Sequence, residues 1–100
     1  MANSEWVKYT EWSGGAMTDY GAIRLDNLDR YLNGAKTVAE EMLQECDAKH
    51  IVYAVKKFEN GELIEVEFWK EPVSDWEIEA FSRLENEEFL AVSKTESEGK

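Results

Sequence analysis

The hydrophobic pattern is strongest between His50 and Lys70, where an apolar run and an alternating run flank a polar turn. The chain there reads His-Ile-Val-Tyr-Ala-Val-Lys-Lys-Phe, then Glu-Asn-Gly-Glu, then Leu-Ile-Glu-Val-Glu-Phe-Trp-Lys. β-branched and aromatic residues, which suit a pleated strand, flank Asn60-Gly61 on both sides. Asn and Gly are the residues that best tolerate the two positive φ angles of a type I′ turn. The pattern predicts a hairpin with Phe58 facing Leu63, Lys57 facing Ile64, Lys56 facing Glu65, Val55 facing Val66, Ala54 facing Glu67 and Tyr53 facing Phe68. In that register Ile51, Tyr53, Val55, Ile64, Val66 and Phe68 make one apolar, core-facing surface. Val52, Ala54, Lys56, Phe58, Leu63, Glu65, Glu67 and Trp69 make the other, expected to be partly wet. A slip of one residue would turn Glu65 and Glu67 into the core, at several kcal/mol per unpaired charge, so the register is strongly specified.

The remaining elements follow from period and punctuation. Glu5 to Trp12 alternates as a strand, with Trp6, Lys8, Thr10 and Trp12 on one face and Val7 and Tyr9 on the other; Ser13-Gly14-Gly15 ends it as a turn. Ala22 to Leu25 reads either as a short second strand or as loop. Asp26 is placed as a helix cap, and Leu28, Leu32, Ala35, Ala39, Met42 and Cys46 then recur at spacings of four and three, one apolar helix face of about five turns. Gly34 inside it marks a kink or a close contact with the sheet. Ser74-Asp75-Trp76-Glu77 is a capping box, followed by Trp76, Ala80, Phe81 and Leu84 at helical spacing. Phe89 to Val92 fits either the end of that helix or a last strand. The expected class is α+β: an antiparallel three- to four-stranded sheet with two helices on one face, in one version the ferredoxin-like β-α-β-β-α-β order.

Length adds that residues 1–100 are one domain large enough to bury a core, with 94–100 a frayed tail. Cys46 is the only cysteine, so no intrachain disulfide forms. The first residues have neither the basic nor the apolar region of a signal peptide, and no apolar run approaches a membrane span, so a cytoplasmic location is expected, the host cytoplasm for a phage-encoded chain.

Charge changes the picture most. Eleven basic residues stand against 22 acidic ones, a net charge of −11. Residues 1–58 hold nine acidic and seven basic side chains, whereas residues 59–100 hold 13 and four. Such a chain is not expected to bind nucleic acid or an anionic membrane directly; it suits a basic partner. His50, the single histidine, and Cys46 make no metal-ligand set, and no phosphate loop or nucleophile motif appears, so no enzyme activity, metal or cofactor is expected. Cys46 lies on the apolar helix face, where packing explains it.

The candidate binding residues are therefore acidic, with one aromatic anchor: Glu65, Glu67, Trp69 and Glu71 along the second hairpin strand, and Asp75, Glu79, Glu85, Glu87 and Glu88 after it. Glu65 and Glu67 fall about 6.5–7 Å apart on one strand face, and such rows imitate the charge spacing of a nucleic-acid backbone. The leading expectation is a small non-enzymatic inhibitor that occupies the basic surface of a nucleic-acid-binding protein or nuclease complex. By size and charge alone, phage anti-restriction and anti-CRISPR proteins and nuclease inhibitors share this physical class. Two alternatives are a regulatory domain binding a small molecule through Trp6, Tyr9, Trp12 and Tyr20, and a structural or assembly subunit that pairs through an exposed strand edge; the oligomeric state, a homodimer included, is left open.

Overall fold

The computed structural model of the protein describes residues 5–94. Its elements run β1 (Trp6–Ser13), β2 (Ala16–Arg24), a 3-10 turn (Leu25–Asn27), α1 (Leu28–Glu45), β3 (His50–Glu59), β4 (Glu62–Val73), α2 (Asp75–Phe81) and β5 (Glu87–Ser93). The five strands form one sheet in the order β2-β1-β4-β3-β5. β1 runs parallel to β4 while every other neighbour pair is antiparallel. The α+β class thus holds, but the sheet is mixed and five-stranded rather than antiparallel and three- to four-stranded. Both doubtful segments, 22–25 and 89–92, contribute strand residues, and β2 stands between β1 and α1, so the β-α-β-β-α-β order is not formed.

Two tight turns frame the sheet. Asn60 and Gly61 have φ of 54° and 81°, and Gly14 and Gly15 have 62° and 86°. Two consecutive positive φ angles are the signature of the primed hairpin turns, whose twist matches that of the flanking strands.

The helices lie on opposite faces of the sheet, not on one. Leu28 and Leu32 of α1 pack on Val7, Ile23, Ala54, Val66 and Phe68, and Ala39 and Leu43 pack on Ile51, Tyr53 and Val92. Ile78 and Phe81 of α2 pack instead on Val52, Val55, Val73, Trp69, Phe89 and Ala91. The cause is β3, in which all five residues from Ile51 to Val55 are buried. A strand apolar on both sides needs a cover on both sides.

This double burial also moves the hairpin register. Glu59↔Glu62 and Phe58↔Leu63 pair as expected, but Lys57 then faces Glu65, Lys56 faces Val66, Val55 faces Glu67 and Ala54 faces Phe68. Ile64 is an extra residue in β4, left without a β3 partner and 42% exposed. A second irregularity at Tyr53 lets Val52 and Val55 serve the α2 face while Ile51, Tyr53 and Ala54 serve the α1 face. Such bulges change which side chains reach a face while keeping the ladder. The expected Lys56–Glu65 pair is replaced by Lys57 Nζ to Glu67 Oε2 at 2.8 Å.

Three local expectations are corrected. Asp26 does not cap α1; it sits in the 3-10 turn beside Arg24, and the cap position is Asn27 without a side-chain bond. A Cβ on Gly34 would meet nothing within 4 Å, so no close approach to the sheet explains it. In α2 the apolar contacts come from Ile78 and Phe81, while Trp76 is 70% exposed. The capping box is present: Ser74 Oγ accepts from the N–H of Glu77, whose carboxylate accepts from the N–H of Ser74. Of the segment expected to fray, only Lys94 lies within the described residues; its N–H donates to the carbonyl of Lys49. Among the described residues no helix is long and apolar enough to cross a membrane.

Candidate functional site

Strand alternation puts Glu65, Glu67, Trp69 and Glu71 on the α2 side of the sheet. Their neighbours there are basic as well as acidic. Glu65 lies beside Lys8 on β1 and across from Lys57 on β3, and Lys57 faces Glu87 on β5. The row across four strands therefore reads Lys8, Glu65, Lys57, Glu87, alternating in sign. The bond to Glu67 is the main reason the Lys57 ammonium is held above its ordinary range; burial works against it, and Glu65 and Glu87 add further attraction. Glu67 is thus committed inside the fold. Trp69 is half-buried, edge-on to Phe89 at 6.2 Å, and belongs to the cluster under α2.

The remaining candidates divide by place. Asp75 opens α2 and bonds His50, Glu79 pairs with Arg83 one helical turn on, and Glu71 is exposed near the end of β4. Glu85, Glu87 and Glu88 lie at the opposite end of the sheet, and β-register turns Glu87 to the α2 side and Glu88 to the α1 side. The fold adds two carboxylates there that the sequence reading had not selected. The N–H of Phe58 donates to the carbonyl of Asn86 at 2.8 Å, tying the loop before β5 to the β3–β4 turn. Glu59 and Glu62 of that turn thereby come to the same end of the sheet as Glu65, Glu85, Glu87 and Glu88. With Glu67 on Lys57 and Lys8 beside Glu65, seven carboxylates share this end of the sheet with three ammonium groups, those of Lys8, Lys56 and Lys57. A turn-flanking Glu next to Asn-Gly reads in sequence as solvation, so only the long-range pairing of β3 with β5 reveals this convergence.

The N-terminal aromatics divide as well. Trp6, Thr10 and Trp12 lie on the α2 side of β1, beyond the reach of the short α2, and Tyr20 of β2 joins them, 74% exposed. Trp12 Nε1 donates to Thr10 Oγ1. Tyr9 alone turns to the α1 side. It lines a groove of about 580 Å³ between α1 and the sheet with Tyr31, Phe68, Arg30, Lys70 and Asp19. The Tyr9 hydroxyl donates to Asp19, which raises its pKa above the ordinary value.

One constellation escaped the sequence reading because its members are far apart in the chain. His50 Nε2 lies 2.6 Å from Asp75 Oδ1, and His50 Nδ1 lies 2.7 Å from Ser93 Oγ. With neutral imidazole, Nε2–H donates to the carboxylate and the serine hydroxyl donates to Nδ1. A hydroxyl, imidazole and carboxylate in line are the parts of an activated nucleophile, but acyl transfer also needs donors for the oxyanion. The N–H that follows Ser93 is already given to Lys49. What the chain of bonds does is tie the start of β3 and the end of β5 to the first turn of α2. No group of His, Cys, Asp and Glu among the described residues could hold a metal ion.

This clamp has a pH signature. The His50 bond, helped by Lys49, holds the Asp75 carboxyl below its usual range. A depressed carboxyl contributes stability above its unfolded value, near pH 4, and loses it as pH falls through the folded value. Asp75→Asn is expected to flatten the acid limb of a plot of melting midpoint against pH. Parallel parent and variant profiles below pH 4 would refute the linkage.

No protein-family model, no curated protein and no solved structure matches this chain, so the reading of the surface rests on its own geometry.

Proposed function

We propose that the protein is a non-enzymatic inhibitor whose acidic sheet end occupies the basic, nucleic-acid-binding surface of another protein. The observation that supports this reading is the meeting of Glu59, Glu62, Glu65, Glu85, Glu87 and Glu88 at one end of the sheet. All but Glu85, which lies in the loop before β5, are on the paired strands β3, β4 and β5, so their backbone loses little freedom on docking, unlike carboxylates on a flexible tail. A chain of net charge −11 also speeds encounter with a cationic groove and discourages nucleic acid itself. Such a partner belongs to the class of nucleases and nucleic-acid-binding complexes, a phage anti-restriction or anti-CRISPR role being one instance, in the cytoplasm. Glu71, Asp75 and Glu79 flank the other end of the sheet and would widen the contact only for a large partner.

The test is an immobilised-protein pull-down at low and high salt, with duplex DNA as competitor, followed by kinetics on the captured protein. The variant Glu59→Gln, Glu62→Gln, Glu85→Gln, Glu88→Gln removes four exposed charges while sparing the Lys57–Glu67 pair. It is expected to lower the association rate at least several-fold and flatten its salt dependence, whereas Asp29→Gln with Glu41→Gln on α1 should change little. Equal association rates for the parent and the four-site variant would sink the reading.

A second reading is a small-molecule site in the α1 groove. It is favoured by Arg30 and Lys70, which line the groove without an ion pair among the described residues, beside the rings of Tyr9, Tyr31 and Phe68. Of the aromatic set first considered for such a site, only Tyr9 lines this groove.

A further inference from the structure

β2 is an edge strand with an unusual surface. It is nine residues long, and every residue in it except Ile23 is exposed. Edge strands left open offer their free N–H and C=O groups to any other strand, and soluble proteins blunt them with Lys, Pro, bulges or covering elements. β2 (Ala-Met-Thr-Asp-Tyr-Gly-Ala-Ile-Arg) has no Lys or Pro. Its one irregularity lies near the Gly-Gly turn, leaving Asp19 to Arg24 in regular pairing with β1. The other edge, β5, is shorter, carries Glu87 and Glu88, and has α2 packed against it.

Two further observations bear on what pairs there. Four large apolar side chains on or beside this edge, Trp6, Met17, Tyr20 and Leu25, are each more than 40% exposed, Tyr20 the most of any in the described residues at 74%. The strand is also locally neutral, with Asp19 and Arg24 its only charges, in a chain of net charge −11. A contact between two copies anywhere on the acidic surface would set carboxylates against carboxylates; at β2 it would not.

We infer that the protein forms a two-fold homodimer by antiparallel pairing of β2 with β2 of a second copy, continuing the sheet across the contact. The two-fold axis then stands perpendicular to the sheet, because paired residues in a continuous sheet share a face. Both α1 helices fall on one side. On the other side Tyr20 of each copy comes to the new seam, with Trp6 and Trp12 standing one strand behind it on β1. The inference is independent of the inhibitor reading, since the acidic sheet end lies on β3, β4 and β5.

Sedimentation velocity over a wide concentration range tests it. The expected species has twice the 11.5 kDa chain mass. Because the two copies repel through their net charge, self-association should tighten as salt is added, opposite in sign to binding of a basic partner, so the two readings fail separately. Tyr20→Glu with Ala22→Glu sets like charges against each other across the axis, as does Tyr20→Lys with Ala22→Lys. Each double variant is expected to be monomeric with unchanged circular dichroism, and an equimolar mixture is expected to recover the dimer mass. A parent monomeric at every concentration and salt, a dimer that survives both double variants, or a mixture that stays monomeric would each overturn the proposal.

Discussion

Phe68→Ala is expected to destabilise the protein by roughly 3–5 kcal/mol, the usual cost of emptying a buried phenylalanine site. Phe68 is 6% exposed, on the α1 side of β4, between Ala54 of β3 and Glu11 of β1. It meets Tyr9 edge-to-face at 6.3 Å and packs in the cluster that includes Leu28 and Leu32 of α1. The β1–β4 pairing is the parallel one and has no hairpin to hold it, so it depends on side chains that bridge the two strands. Removing the ring leaves a cavity at that seam, and β2 is attached to the rest of the sheet only through β1. Against a total stability of about 5–15 kcal/mol, the variant should melt far below the parent or be largely unfolded at room temperature. A thermal melt by circular dichroism measures this, and a midpoint close to that of the parent would refute the central place of Phe68.

Gly61→Val is expected to cost about 1–3 kcal/mol for a different reason. Gly61 has φ of 81° and nothing within 4 Å of the position its Cβ would take. No clash with the rest of the fold arises, so the whole cost is local backbone strain, severe for a β-branched side chain at positive φ. The variant tests turn chemistry apart from packing. Gly61→Asn, able to adopt the left-handed region, should recover much of the loss in chemical denaturation. Equal midpoints for Gly61→Val and the parent would mean that the turn is not of the primed type.

These two sites also show how unevenly the fold could be read from sequence. The Asn60-Gly61 turn, the capping box at Ser74 and the apolar face of α1 were legible because each depends on residues within a few positions of one another. The register of β3 on β4 was legible only for its first two pairs. Beyond Phe58↔Leu63 the bulge at Ile64 intervenes, and alternation alone cannot reveal a bulge that is set by burial on both faces. The run Ile-Val-Tyr-Ala-Val was read as one buried and one half-wet face; its five apolar residues instead recorded a central strand covered twice.

The candidate surface divides the same way. The acid excess after residue 58 and the strand face shared by Glu65 and Glu67 were visible in the chain. That Lys8 and Lys57 interleave with them was not, because Lys8 arrives by parallel pairing from more than fifty residues away. Glu59 and Glu62 joined the surface only when the loop at Asn86 closed on Phe58. His50, Asp75 and Ser93 are dispersed over 43 residues, and no local spacing announces them.

The sequence by itself determined the central hairpin, the first strand, the two helices, both glycine-bearing turns, the main helix face and the sign and asymmetry of the charge, since propensity, φ preference and net charge are local or additive; it left β2 and β5 open. Only the tertiary structure decided the strand order, the parallel β1–β4 seam, the placing of the helices on opposite faces and the grouping of carboxylates at one end of the sheet. Those depend on which distant surfaces bury each other, and many pairings of apolar strands satisfy the same alternation until the whole core is assembled.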